Sequence, residues 1–297
     1  MHYLSFCVVM GCAICTTLGG WGYFRRYPMS RPPIGVFNLK DITLMVLFVI
    51  LLPFLYLLLP LWLPVGLLLL AALNILSFTW EPVLHTRWAI WLAVLLMLAA
   101  DIGATVIFKT NHDWFLIINN LVLIVLIVGI TNLWAQSGMK ARDAALLGMA
   151  LAVYDGVATS LLPLTSALFV RLAGLPLAPT LSWGTSSTAL GIGLGDVLLA
   201  TVFPLVMRKA FGRAAGVIAL VIALLAIGAM LVLPLKVVFP AMVVLGPLMV
   251  LQYLYWRSRR GPERMTRQYL LEEPLGLHGR GSNPQAVRSL ADDKALP

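Results

Sequence analysis

Residues 41–80 read DITLMVLFVI LLPFLYLLLP LWLPVGLLLL AALNILSFTW, and Asp41 is the only charged side chain in the stretch. As one helix it would extend ~60 Å, about twice the ~30 Å hydrocarbon thickness of a bilayer. Pro60 and Pro64 fall near its middle, where a missing amide donor and a rigid ring disfavour continuous helix. The stretch is therefore read as two membrane crossings joined by a tight turn.

The same reading extends in both directions. Apolar runs place nine spans near Tyr3 to Gly20, Thr43 to Leu59, Leu61 to Phe78, Trp88 to Phe108, Trp114 to Trp134, Asp143 to Leu162, Ser187 to Met207, Ala214 to Leu233 and Val237 to Trp256. Of the 297 residues, 61% are hydrophobic and 11% charged, against about a quarter charged in a soluble domain. The expected fold class is an all-α membrane protein, with residues 1–256 as one polytopic domain in a lipid bilayer. The N-terminal run has no basic n-region and no A-x-A-like cleavage site, so it is read as a retained first helix. Trp80, Trp88, Trp114, Trp134, Trp183 and Trp256 lie near proposed helix ends, as in an interfacial aromatic belt.

The formal charge of +9 does not indicate a nucleic-acid partner, because the basic residues sit in short connections and a tail. Alternate connections divide them unequally. Arg25, Arg26, Arg31, Lys40, Arg87, Lys140, Arg142, Arg208, Lys209, Arg213, Arg257, Arg259, Arg260, Arg264 and Arg267 fall on one side, and only Lys109, Arg171 and Lys236 on the other. The positive-inside rule then puts the N-terminus outside and the C-terminus in the cytoplasm. Residues 257–297 are polar, rich in Arg, Gly and Pro, and expected to form a disordered cytoplasmic tail. Cys7, Cys12 and Cys15 share the first apolar run without His or acidic neighbours, so they are read as small hydrophobes; neither metal nor cofactor is expected.

Two carboxylates interrupt apolar spans: Asp155 in ALAVYDGVATSLL and Asp196 in TALGIGLGDVLLATVF. Ionisable groups at membrane depth are costly and are functional candidates by default. From the outer ends of the sixth and seventh spans, Asp155 lies ~10 Å and Asp196 ~14 Å deep at 1.5 Å per residue. A pair at one level on antiparallel neighbours can share a proton and supply a base and an acid together. Gly191, Gly193 and Gly195 strip side chains from the approach to Asp196 and loosen a helix there; small residues also serve as helix-packing surfaces, and spacing does not separate the two uses.

Tyr154-Asp155, then Gly193-Leu194-Gly195-Asp196, then Pro240-Ala241-Met242 entering the last span resemble the motifs of the GxGD intramembrane aspartyl proteases, the presenilin and signal peptide peptidase family. The resemblance covers essentially the whole membrane domain. It implies a nine-transmembrane-helix presenilin/signal peptide peptidase-like bundle in which Asp155 and Asp196 are the catalytic dyad. Tyr154, Gly193, Leu194, Gly195, Pro240, Ala241 and Met242 would then support the site or bind substrate. The family's third motif is Pro-Ala-Leu; Met242 stands where Leu is usual, a swap of similar volume. The orientation resembles signal peptide peptidases, whereas presenilins are oriented oppositely. It implies an uncut chain acting on transmembrane-helix or signal-peptide substrates with a cytoplasmic N-terminus. Short loops suit a prokaryotic member in the cell membrane.

Other readings stay open. A prepilin-peptidase-like enzyme also uses a GxGD aspartate, but Val197, Leu198 and Leu199 do not fit its basic residue after that position. A transporter would use Asp155, Asp196 and Asp101 as a proton or cation relay, and a non-proteolytic homologue would bind membrane helices without cutting them. Asp101 is read as a carboxyl bonded to a neighbouring helix or near the interface, and Asn74, Asn119 and Asn120 as interhelical hydrogen-bonding groups. His85 and His112 are read as exposed loop residues, and Ser186, Ser187 and Thr188 as polar residues at a helix start.

Overall fold

The apolar run 41–80 breaks where its prolines predict. In a computed structural model, which describes residues 2–29, 39–108, 113–160, 167–168, 171–172, 174–184, 190–232 and 241–264, helix α2 (Leu39–Leu58) ends before Pro60 and α3 (Trp62–Trp80) begins after it. Pro64 occupies the first turn of α3, where its missing amide forfeits no intrahelical bond.

The other long helices among the described residues are α1 (His2–Arg26), α4 (Arg87–Phe108), α5 (Asp113–Gln136), α6 (Ala141–Ser160), α7 (Leu194–Phe211), α8 (Arg213–Val232) and α9 (Met242–Arg260). Between α6 and α7 lies an antiparallel pair of strands, β1 (Thr180–Trp183) and β2 (Leu190–Gly193). Its register pairs Thr180 with Gly193, Leu181 with Ile192, Ser182 with Gly191 and Trp183 with Leu190. This corrects the sequence expectation of a helix from Ser187 to Met207: its described start is extended, and helix begins only at Leu194. The last helix likewise runs to Arg260, past the end expected at Trp256. Pro240, Lys236, Lys109, His112, Ser186, Ser187, Thr188 and residues 265–297 lie outside the described residues.

Among the described residues the fold is all-α apart from this small sheet, and six helices, α1 to α5 and α8, are long and apolar enough to cross a membrane. Their faces are compatible with a multi-pass membrane protein. Leu44, Leu47, Phe48 and Leu51 on α2 and Trp88, Leu92, Leu95 and Leu96 on α4 are exposed, forming apolar surfaces suited to lipid. The other three helices, α6, α7 and α9, carry the candidate motifs and more polar or small residues.

Helix α7 stands at the centre. Every residue from Val197 to Phe211 is buried, and the helix packs against α1, α5, α6, α8 and α9. Protein rather than lipid surrounds it, so it tolerates charged side chains. Arg208 and Lys209, expected in a connection, instead occupy its last turn. Lys209 is only 2% exposed, and its Nζ donates to the carbonyls of Ala135 (2.8 Å) and Met139 (2.6 Å), at and just past the end of α5. The Arg208 guanidinium lies 4.9 Å from the centre of the Trp21 ring.

Helices α3 and α5 meet closely at Gly129, where a Cβ would collide with the Thr79 hydroxyl, itself bonded to the Ile75 carbonyl at 2.7 Å. Gly129→Ala is expected to destabilise the protein by about 1–3 kcal/mol through overpacking. Thermal unfolding in detergent checks this against Gly11→Ala, whose added Cβ meets nothing within 4 Å and which is expected to be neutral or slightly stabilising.

Candidate functional site

Helix α7 opens on Gly193, an extended residue (φ −63°, ψ 144°) with no side chain to cap the free amides that follow. Asp196, in the first turn, reaches back to accept the backbone N–H of Gly193 itself, as the acid of a capping box does. The bend is tight. A Cβ on Gly193 would sit 2.9 Å from Asp196 Oδ2, so a side chain there would push the carboxylate aside, whereas a Cβ on Gly195 would meet nothing within 4 Å. Gly195 is exposed and leaves the acid open to approach. Sequence reasoning placed Asp196 within a helix loosened by glycines; it sits instead at a strand-to-helix junction, at the positive end of the helix dipole.

Helix α9 has a similar vacancy. Its N-cap, Ala241, is buried and offers no side-chain acceptor, and the backbone N–H of Met242 donates to the carboxylate of Asp155 on α6. Asp155 thereby caps a helix to which it does not belong. Tyr154, next to it, is half-buried, as are both aspartates. The two carboxylates are close enough to interact electrostatically. The structure therefore brings together Asp155, Asp196, Gly193, Gly195, Ala241 and Met242, while Leu194 fixes the start of α7 by donating its amide to the Pro179 carbonyl at 2.9 Å.

The contact between α6 and α9 depends on missing side chains. A Cβ on Gly246 would strike the Gly148 carbonyl and come within 2.8 Å of Ala152 Cβ, and one on Gly148 would come within 2.8 Å of Met249 Sδ. This close approach, of the small-residue type common between membrane helices, keeps the Met242 amide within reach of Asp155. Neither glycine was singled out from sequence, although Gly148 and Ala152 stand four apart on one helix face.

Three polar residues that sequence reasoning assigned to helix contacts instead hold the strand pair. Asp101, fully buried on α4, accepts the Leu177 amide at 2.6 Å, bonding to the segment before β1 rather than to a helix. Leu177 has a positive φ of 56°, unusual for a branched residue, and this bond helps hold it there. On α5, Asn119 Nδ2 donates to the carbonyls of Ala178 (3.2 Å) and Thr180 (3.4 Å). Asn120 behaves like a strand residue: its Nδ2 donates to Ser182 O at 2.8 Å and its Oδ1 accepts from Ser182 N at 3.1 Å. Asn74 bonds within its own helix, to Leu70 O at 2.8 Å. His85 is exposed.

No protein-family model, curated protein or solved structure matches this chain. The case for function rests on the site itself.

Asn120→Ala removes both bonds to Ser182, each contributing about 0.5–1.5 kcal/mol. Amide hydrogen exchange in β1 and β2 is expected to accelerate roughly ten- to a hundredfold, with exchange in α8 unchanged. Unaltered exchange in the strands would show that Asn120 does not hold them.

Proposed function

We propose that this protein is an intramembrane aspartyl protease that hydrolyses peptide bonds within transmembrane helices, with Asp155 and Asp196 as its catalytic dyad. The observation that carries the reading is the convergence of three separated sequence motifs. Asp155 and Asp196 interact electrostatically, and Asp155 also accepts the amide of Met242.

The chemistry follows from two neighbouring carboxyl groups that share one proton. The ionised member removes a proton from water as its oxygen attacks the scissile carbonyl carbon. The protonated member hydrogen-bonds the carbonyl oxygen as negative charge develops there. Collapse of the resulting tetrahedral species breaks the C–N bond, with a carboxyl proton passing to the leaving nitrogen. One carboxyl and one amine terminus result, and the dyad regains its single proton.

A helical substrate hides its carbonyls in hydrogen bonds, so cleavage requires local unwinding. The strand pair offers a template for the extended form. The flank of β1 away from β2 is occupied by Asn119 and Asn120, while β2 has no second strand partner among the described residues. A segment aligned along β2 would be led toward Asp196, three residues beyond Gly193.

The proposed topology has nine spans, with α6, α7 and α9 as the polar inner crossings, an outside N-terminus and a cytoplasmic C-terminus. By resemblance to signal peptide peptidases, the substrates are transmembrane or signal-peptide helices with a cytoplasmic N-terminus, and the chain acts uncut. The relay reading loses one of its carboxylates: Asp101 is engaged with the Leu177 amide and holds a backbone segment in place.

Purified protein in lipid vesicles is expected to cleave a panel of transmembrane peptides, with Asp155→Ala and Asp196→Ala each lowering the rate at least ~10²- to 10⁴-fold. Wild-type cleavage should follow a bell-shaped pH profile, lost at low pH when both carboxyls are protonated and at high pH when both are ionised. Proton-coupled flux that depends on the same aspartates, without cleavage, would overturn the protease reading.

A further inference from the structure

The dyad helices α6 and α7 run antiparallel, so the start of α6 and the end of α7 lie at the same end of the bundle. Asp155 is fourteen residues after Ala141, and Asp196 is fourteen residues before Ala210. At 1.5 Å per residue both carboxylates stand ~21 Å from that end. Whatever fixes the relative height of those two termini also fixes the relative height of the dyad.

A short segment after α9 joins both termini. Gly261 turns the chain with a positive φ of 79°, a geometry that favours glycine. Glu263 Oε2 then accepts the first two amides of α6, Ala141 N at 3.0 Å and Arg142 N at 3.4 Å. Asp143 takes the preceding Lys140 amide at 3.4 Å, so Glu263 is the acceptor that α6 lacks within its own sequence. The next residue grips α7: Arg264 N donates to Ala210 O at 3.2 Å and Arg264 Nη2 to Arg208 O at 3.4 Å. Arg260 Nη1 adds a bond to Phe211 O at 2.8 Å. These carbonyls belong to the last turn of α7, where cationic groups are favoured by the dipole; Ala210 and Phe211 lie where intrahelical donors run out, while Arg208 O also accepts the Gly212 amide at 2.9 Å.

The opposite end of α9 carries the Met242 amide that binds Asp155. Residues 242–264 thus hold α6 at two levels, at Asp155 and at its first turn, and α7 at its last turn.

We propose that Glu263, with Arg264, is a positioning residue: it sets the axial register of α6 against α7 and so holds Asp155 level with Asp196. It touches no reacting atom and acts through the helices it joins. This assignment adds to the protease reading and rests on it for its catalytic consequence, whereas its structural consequence stands alone.

The test uses the full chain in lipid, with Glu263→Ala, the conservative Glu263→Gln and wild type compared. In a background lacking the native cysteines, spin labels at Val157→Cys on α6 and Gly191→Cys on β2 report the separation at the dyad level. Glu263→Ala is expected to shift or broaden that distance by about one residue rise, 1.5 Å or more, and to lower kcat roughly 10- to 100-fold with KM little changed, as displaced catalytic groups do. Glu263→Gln, whose amide oxygen still accepts the α6 amides, is expected to restore both to within about threefold of wild type. A dyad-level distance unchanged in Glu263→Ala would overturn the proposal, because the residue would then be only a local cap. A changed distance in a chain that cleaves nothing, wild type included, would leave the strap standing and remove the protease reading.

Discussion

A helix that begins inside an apolar environment must find acceptors for its first amides, and the candidate site is arranged around that requirement. Helices α7 and α9 both start on residues without a capping side chain, Gly193 and Ala241. Water is the usual remedy at a protein surface, but at the centre of a bundle an unpaired amide costs several kcal/mol. Asp196 supplies an acceptor within its own helix, and Asp155 supplies one to a neighbour. The two carboxylates are thus drawn to the same region by the backbone's need for them, and the chemistry proposed for the pair exploits a placement that folding already demands.

The same logic extends to the residues around the dyad. Asp101, Asn119 and Asn120 spend their polar groups on backbone of the segment 177–182 rather than on other side chains. Lys209 does so for the end of α5, and Arg260 and Arg264 for the end of α7. Several of the buried charged and amide side chains thus complete a strand edge or a helix terminus, whereas Asn132 donates to the Gly20 and Val128 carbonyls inside α1 and α5. Strand β1 can persist here because backbone groups on its outer edge are met by Asn119 and Asn120 from α5, while Asp101 from α4 ties down the segment that leads into it.

Much of this was legible in the sequence, and the remainder was not for identifiable reasons. Apolar run length revealed the break at Pro60, and motif order drew attention to Asp155, Asp196 and Met242. Hydropathy misread the approach to Asp196, because Leu190-Gly191-Ile192-Gly193 is as apolar as a helix of the same length and its strand character depends on pairing with Thr180 to Trp183, earlier in the chain. Asn120 and Asp101 bond to residues 62 and 76 positions away, contacts that no local pattern encodes. Arg208 and Lys209 looked like connection residues because charge usually marks the end of a span; the burial of α7 by five neighbours reverses that inference. Glu263 fell in a stretch whose composition argued only for disorder.

The bond from the Met242 amide to Asp155 makes one carboxylate serve two masters. Any molecule that claims the acceptor oxygen of Asp155 competes with the first turn of α9, and anything that draws α9 away frees that oxygen for a new donor. Occupancy of the centre and the seating of the last helix are therefore thermodynamically linked, and by reciprocity each biases the other to the same degree. A ligand that never enters the interior but prefers one seating of α9 would shift affinity at the dyad, and a tightly bound occupant of the dyad would be felt along the whole length of α9.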